Sequence, residues 1–349
     1  MLAQSMLLRC LPRRISLGLL LCALPSAAWA DAPPSSYRVV DAMPTFWRYW
    51  EKAHGLPEAE QVRLFHKQVV AAHPDLYTAN VLGFDAQRPF DAELAKRYPK
   101  YFQWVSPHFD TMRRLSAELR LQLPSYEARF RRTFPDLRYT GEVYFLNSLG
   151  AFDGATRQVK GKTALLFGVD VIATIYGATA NVEPFFDHEL FHIYHEQFPN
   201  PEAEGTVAGA LWREGLATYV AEALNPGVSE HILFGLPEDM PARARGMLPK
   251  LAAELREKLD SKTPEDYQAF FWGNSPRQDI PARSGYFVGY QVARELARTH
   301  TLTELAHLRG LDLRAALEAA LRRLESSSPK TSEPVRAAPP TLPGDHPRK

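Results

Sequence analysis

The chain's apolar positions keep two rhythms, and the change between them divides it. From Tyr37 to Arg132 the spacing is helical. Phe46, Trp47 and Trp50 recur at helix spacing, as do Val62, Phe65, Val69 and Val70 before His73-Pro74 stops that run. Tyr101, Phe102, Trp104 and Val105 form an aromatic cluster. Met112, Leu115, Leu119 and Leu123 repeat every three to four residues up to Pro124, which ends the run. This predicts a helical N-terminal region, residues 37–135, whose aromatics are core. A substrate-lining role for some of its Trp and Tyr side chains is the alternative.

The rhythm then shortens. Tyr139 to Asn147 is rich in β-branched and aromatic residues, and Thr163 to Ala173 is an apolar run broken by Gly168. Gly150, Asp153 and Gly154 between them are turn chemistry. A small sheet of two to four strands is expected here. Helical spacing returns from Pro184 to Gln197, with Pro184 in the first turn and Pro199 closing it. Gly205 to Leu224 is the next helix, stopped by Asn225-Pro226-Gly227. Helices over 251–259, 267–272, 284–298 and 312–324 follow. The class is α+β, mostly α, with residues 136–325 as a second region and no internal repeat.

The ends differ in kind. Arg9, Arg13 and Arg14 precede the apolar run Ile15 to Leu24, and Ala28-Trp29-Ala30 offers a small-x-small cleavage site. Residues 1–30 therefore read as a Sec-type signal peptide, and the protein as exported, periplasmic or secreted. Leu19-Leu20-Leu21 before Cys22 does not fit a lipoprotein site, so no membrane anchor is expected. Residues 31–36 form a mobile leader. Residues 326–349 hold six prolines and little that is apolar, a disordered tail.

Both cysteines, Cys10 and Cys22, lie in the signal, so the mature chain has neither disulfide nor thiol chemistry. Removing the three signal arginines leaves 38 of the 41 basic residues against 40 acidic ones. That balance argues against nucleic acid as a partner.

The chemistry concentrates at Asp187-His188-Glu189-Leu190-Phe191-His192. On a helix, His188 and His192 share one face and can take two corners of a zinc tetrahedron. Glu189 between them is in place to act as a general base. A bare match of this kind also fits a surface helix with two solvated histidines. The flanks Phe185, Phe186, Leu190, Phe191 and Ile193 instead bury the helix, and buried imidazoles need partners.

The third ligand candidate is Glu214, 22 positions after His192, far enough for a turn and an antiparallel return. It sits in an apolar run where an unpaired carboxylate is costly. A salt bridge to Arg213 is its rival role. Gly215 would let the two helices approach closely. Two histidines and one glutamate leave a fourth position open, the mark of a catalytic site for one Zn2+ per chain. His195, at i+7 from His188, is about 10 Å along the axis and too far to share the ion.

These segments resemble gluzincin metallopeptidases, and more closely a group of predicted Zn-dependent proteases. In that group an H-E-x-x-H helix precedes an E-G-L-A-x-Y segment (here Glu214 to Tyr219) and a G-Y-x-x-G-Y segment (here Gly285 to Tyr290). The resemblance runs from about Tyr139 to Arg298. It implies a zincin-like fold: a small sheet with an edge strand over the cleft, the H-E-x-x-H helix below it, and a helical lower half. Thermolysin-like members carry an Asp four residues after the ligand Glu to support a histidine; here that place is Thr218.

The expected reaction is zinc-assisted hydrolysis of a peptide or protein substrate, with Glu189 as base. Tyr286 is the first candidate to stabilise the oxyanion, Tyr290 one turn on is the second, and Tyr219 is weaker. Each could instead pack in the core. The strand Thr163 to Asp170 is expected to bind an extended peptide by strand addition. A zinc-stabilised binding or chaperone-like module, and a hydrolase of non-peptide amides or esters, are the rival readings. The retained Glu189 favours the enzyme.

Overall fold

The sheet draws its four strands from three separate stretches of chain. In the computed structural model, which describes residues 37–85, 87–177 and 180–326, they are β1 (Arg38–Asp41), β2 (Glu142–Leu146), β3 (Gly154–Val159) and β4 (Lys162–Gly168). Their order is β1-β2-β4-β3, with β1, β2 and β4 parallel and β3 antiparallel to β4. Helices fill most of the rest, so the class is α+β, mostly α. The expected signal peptide and leader lie outside the described residues, as does the expected tail beyond Ser326. Among the described residues no helix is long and apolar enough to cross a membrane.

Three details differ from the sequence reading. The N-terminal region is not wholly helical, because β1 precedes its first helix and pairs with β2. Two adjacent valines are too short a run to show a strand period. Pro124 does not end its helix but lies inside Phe109–Thr133. A mid-helix proline costs roughly 3 kcal/mol. Buried Leu119, Leu123, Tyr126 and Phe130 along the same helix offset that cost by packing on the core. The apolar run from Thr163 also divides, with β4 ending at Gly168 and a short helix, Val169–Tyr176, taking over.

That junction anchors the approach to the sheet's edge. Asp170, fully buried, accepts from the backbone N–H of Ser148 at 2.7 Å and of Gly150 at 2.9 Å. The hydroxyls of Ser148 and Tyr101 each donate to it at 3.0 Å. Four donors satisfy a carboxylate that burial alone would make unfavourable. The loop 147–153 is thereby fixed just before β3 begins.

β3 carries two adjacent exposed residues, Arg157 and Gln158, which break the strand alternation, so its period did not stand out. It turns into β4 through Lys160 and Gly161, both with positive φ, the signature of a tight hairpin. β3 is one edge of the sheet and β1 the other, and β4 is paired on both sides. An added strand cannot reach Thr163–Asp170. This corrects the expected peptide-binding strand: the open edge next to β4 is β3.

Candidate metal centre

Three helices bring the site together. The motif helix spans Glu183–Glu196, the glutamate helix Val207–Leu224 and the tyrosine helix Ser284–Leu296. Thr206 caps the glutamate helix by accepting from the Gly209 N–H at 3.0 Å. Asn225, just past its end, donates to Asp187 Oδ2 at 2.7 Å. This contact ties the start of one helix to the end of the other and fixes their antiparallel register. Burial pushes the Asp187 carboxyl up to about 7, with the Asn225 bond pulling it partly back.

Within that register His188, His192 and Glu214 converge. His188 Nε2 and His192 Nε2 lie 3.1 Å apart. Glu214 Oε2 is 3.7 Å from the first and 3.5 Å from the second. Zinc bonds of about 2.0–2.1 Å at tetrahedral angles separate ligand atoms by roughly 3.3 Å. The three donor atoms therefore have the spacing of one tetrahedral face, and the group could hold a metal ion.

Arg213 and the histidines share Glu214. Its outer oxygen, Oε1, accepts from Arg213 Nη2 at 2.8 Å and Nε at 3.1 Å. The rival salt bridge therefore coexists with the convergence and leaves Oε2 turned inward. Burial would raise the Glu214 carboxyl, but His192, His188 and Arg213 outweigh it and hold it well below the usual range. For His192, burial pulls down while Glu214 pulls up more strongly, and the net direction is upward. Thr218, where the thermolysin-like pattern has Asp, donates its hydroxyl to the Glu214 carbonyl at 2.8 Å. His192 Nδ1 has no hydrogen-bond partner among the described residues.

Glu189 faces the sheet's open edge. Thr156 Oγ1 on β3 donates to Glu189 Oε2 at 2.9 Å. At Gly154 a Cβ would stand 3.0 Å from Glu189 Cγ and 3.1 Å from Oε1. Any larger residue there would crowd the carboxylate. Thr156 did not stand out in the sequence, because its role depends on which strand and helix face each other.

The two tyrosines part company. Tyr286 lies under the guanidinium of Arg283, 4.4 Å from its ring centroid. Burial and then the Glu214 carboxylate push its hydroxyl well above the usual range, so its proton is held. Tyr290 instead donates to Glu222 Oε2 at 2.9 Å, two turns beyond Glu214, and the structure does not bring it to the site. Tyr219 packs its ring 6.2 Å from that of Tyr290, again away from the cluster.

Gly215 and Gly289 explain how the tyrosine helix gets so close. A Cβ on Gly215 would lie 2.1 Å from the Gly289 carbonyl carbon, and one on Gly289 would lie 2.3 Å from the Leu211 oxygen. The glycine contact is thus with the tyrosine helix, not with the motif helix as the sequence reading had it. His195 is no part of the cluster, its ring stacked on Phe191 at 5.4 Å.

No curated protein and no solved structure matches the chain. Residues 171–310, which include all three site helices, match the family described as predicted Zn-dependent protease (DUF2268).

Proposed function

We propose that this chain is an exported zinc-dependent peptidase of gluzincin type. The observation that carries the reading is the tetrahedral-face spacing of His188 Nε2, His192 Nε2 and Glu214 Oε2. One zinc ion held there would supply a Lewis acid that polarises a carbonyl and acidifies a water. Glu189 does the proton work. It accepts the proton of the attacking water and returns it to the leaving amine. Thr156 orients it through Oε2, which leaves Oε1 free for the proton. Tyr286 keeps its own proton and donates a hydrogen bond to the developing oxyanion. An extended substrate adds to the open edge of β3, which places its scissile carbonyl beside Glu189. Export rests on the arginine, apolar and small-x-small pattern of residues 1–30.

The test is zinc analysis of wild type and Glu189→Gln, each assayed on a broad peptide library. Expected are one zinc per chain in both, and cleavage reduced by about 10²–10⁴ in the variant. Equal turnover in both would remove Glu189 as base. Zinc bound without any cleavage by wild type would leave a binding module.

A further inference from the structure

A second feature opens directly beside the cluster. A cavity of about 740 Å³ lies between the end of the motif helix, the start of the glutamate helix and the helix Pro264–Phe271. His192 and Arg213 stand in its wall. One turn further from the cluster, Ala210 on the glutamate helix is in the wall too, four residues before Glu214. Phe198, Pro201, Tyr267 and Trp272 add apolar and aromatic surface to the lining. Its charges oppose one another, Arg213 and Lys262 against Glu196 and Glu204. Such a site selects by shape and apolar area, not by charge. Trp272 is 44% exposed, an unusual position for a large indole unless something covers it. Small-molecule and side-chain sites fall in the range of about 300–1,000 Å³ and are lined in this way.

We infer that this cavity receives a large aromatic side chain of the substrate, next to the bond that is cut. The proposal rests on the peptidase reading and names its substrate class. The wall shared with His192 and Arg213 places such a side chain within a residue or two of the reacting carbonyl. The aromatic lining offers edge and face contacts to a flat ring.

The test separates the two readings. Two hydroxamates that chelate zinc and differ only in carrying a benzyl or a methyl group are titrated calorimetrically into zinc-loaded Glu189→Gln protein, so no turnover is needed. The benzyl compound should bind roughly tenfold to a hundredfold more tightly, the effect of burying that apolar area. Ala210→Phe and Gln268→Trp, introduced separately on opposite walls, should each bring the ratio close to one. Binding of the methyl compound should stay within about twofold. Equal binding of the two compounds, binding of neither, or a ratio unchanged in both filled variants would overturn the pocket. The peptide-library assay fails independently: a protein that binds the benzyl compound tightly yet cleaves no peptide would keep the pocket and lose the peptidase.

Discussion

The glutamate helix carries Glu214 and Glu222, the tyrosine helix carries Tyr286 and Tyr290, and the two places where such residues could meet differ. At the far place Tyr290 donates to Glu222 and the pair closes on itself. At the near one Glu214 is bonded to Arg213 on one oxygen and faces two histidines with the other, while Tyr286 sits under Arg283. The residue types match, but the surroundings do not. A tyrosine satisfied by a carboxylate is a structural contact. A carboxylate braced from outside, with its inner oxygen aimed at imidazoles, is poised for a cation. The difference lies in what each group has left to offer.

The largest effect expected from breaking this contrast is at Glu214 itself. Glu214→Ala should weaken zinc binding at least a hundredfold in a chelator competition, because it removes one of three donors. Glu222→Ala should leave zinc affinity within about twofold. Comparable losses in the two variants would make Glu214 an ordinary structural carboxylate.

The tyrosines come next. Tyr286→Phe should lower kcat by about 10–10³ with little change in zinc content, the range for losing one oxyanion donor. Tyr290→Phe should leave kcat alone and cost about 1 kcal/mol of stability in denaturant unfolding, the worth of one hydrogen bond. If Tyr290→Phe is the one that slows turnover, the assignment is reversed. A smaller effect is expected one shell out. Arg213→Gln should weaken zinc by roughly tenfold to a hundredfold, since it frees Glu214 to turn.

How much of this was legible beforehand follows from what kind of information each feature needs. The motif helix and the glutamate helix announced themselves because helical period and fixed spacing are local. His188, His192 and Glu214 could be named because a buried carboxylate in an apolar run is anomalous on its own. Tyr286 ranked ahead of Tyr290, but nothing local removed Tyr290 from the site. They are one turn apart, and only the position of Glu222 on a facing helix separates them. β3 was missed because the adjacent exposed Arg157 and Gln158 break its alternation, and with it went Thr156 and the contact at Gly154. The peptide-binding strand was misplaced for the same reason. β4 reads as the strongest strand because it is buried on both faces and paired on both sides. The partner of Gly215 was also misassigned, because a glycine shows that something comes close without showing what.

An effect confined to folding concerns His195, which separates a histidine that supports the fold from those that serve the site. It follows His192 by three residues, yet its ring stacks on Phe191 and the charges that act on it most are positive. Burial, then the charge of Arg309, pulls its pKa down to about 3. The unfolded chain titrates near the ordinary value of about 6.5. With the folded value depressed, the neutral ring's contribution is complete above pH 6.5 and is lost as pH falls towards 3. Unfolding free energy should drop by roughly 2 kcal/mol between pH 7 and pH 4 from this group. His195→Phe, which keeps the stacking and removes the titration, should flatten that part of the profile while leaving zinc content unchanged. Chemical denaturation of the zinc-free proteins across that range is the measurement. If the profile keeps its slope in the variant, the acid sensitivity belongs to another group, with Glu214, whose carboxyl is held well below the usual range, the first candidate. His195 would then be a bystander to the pH response.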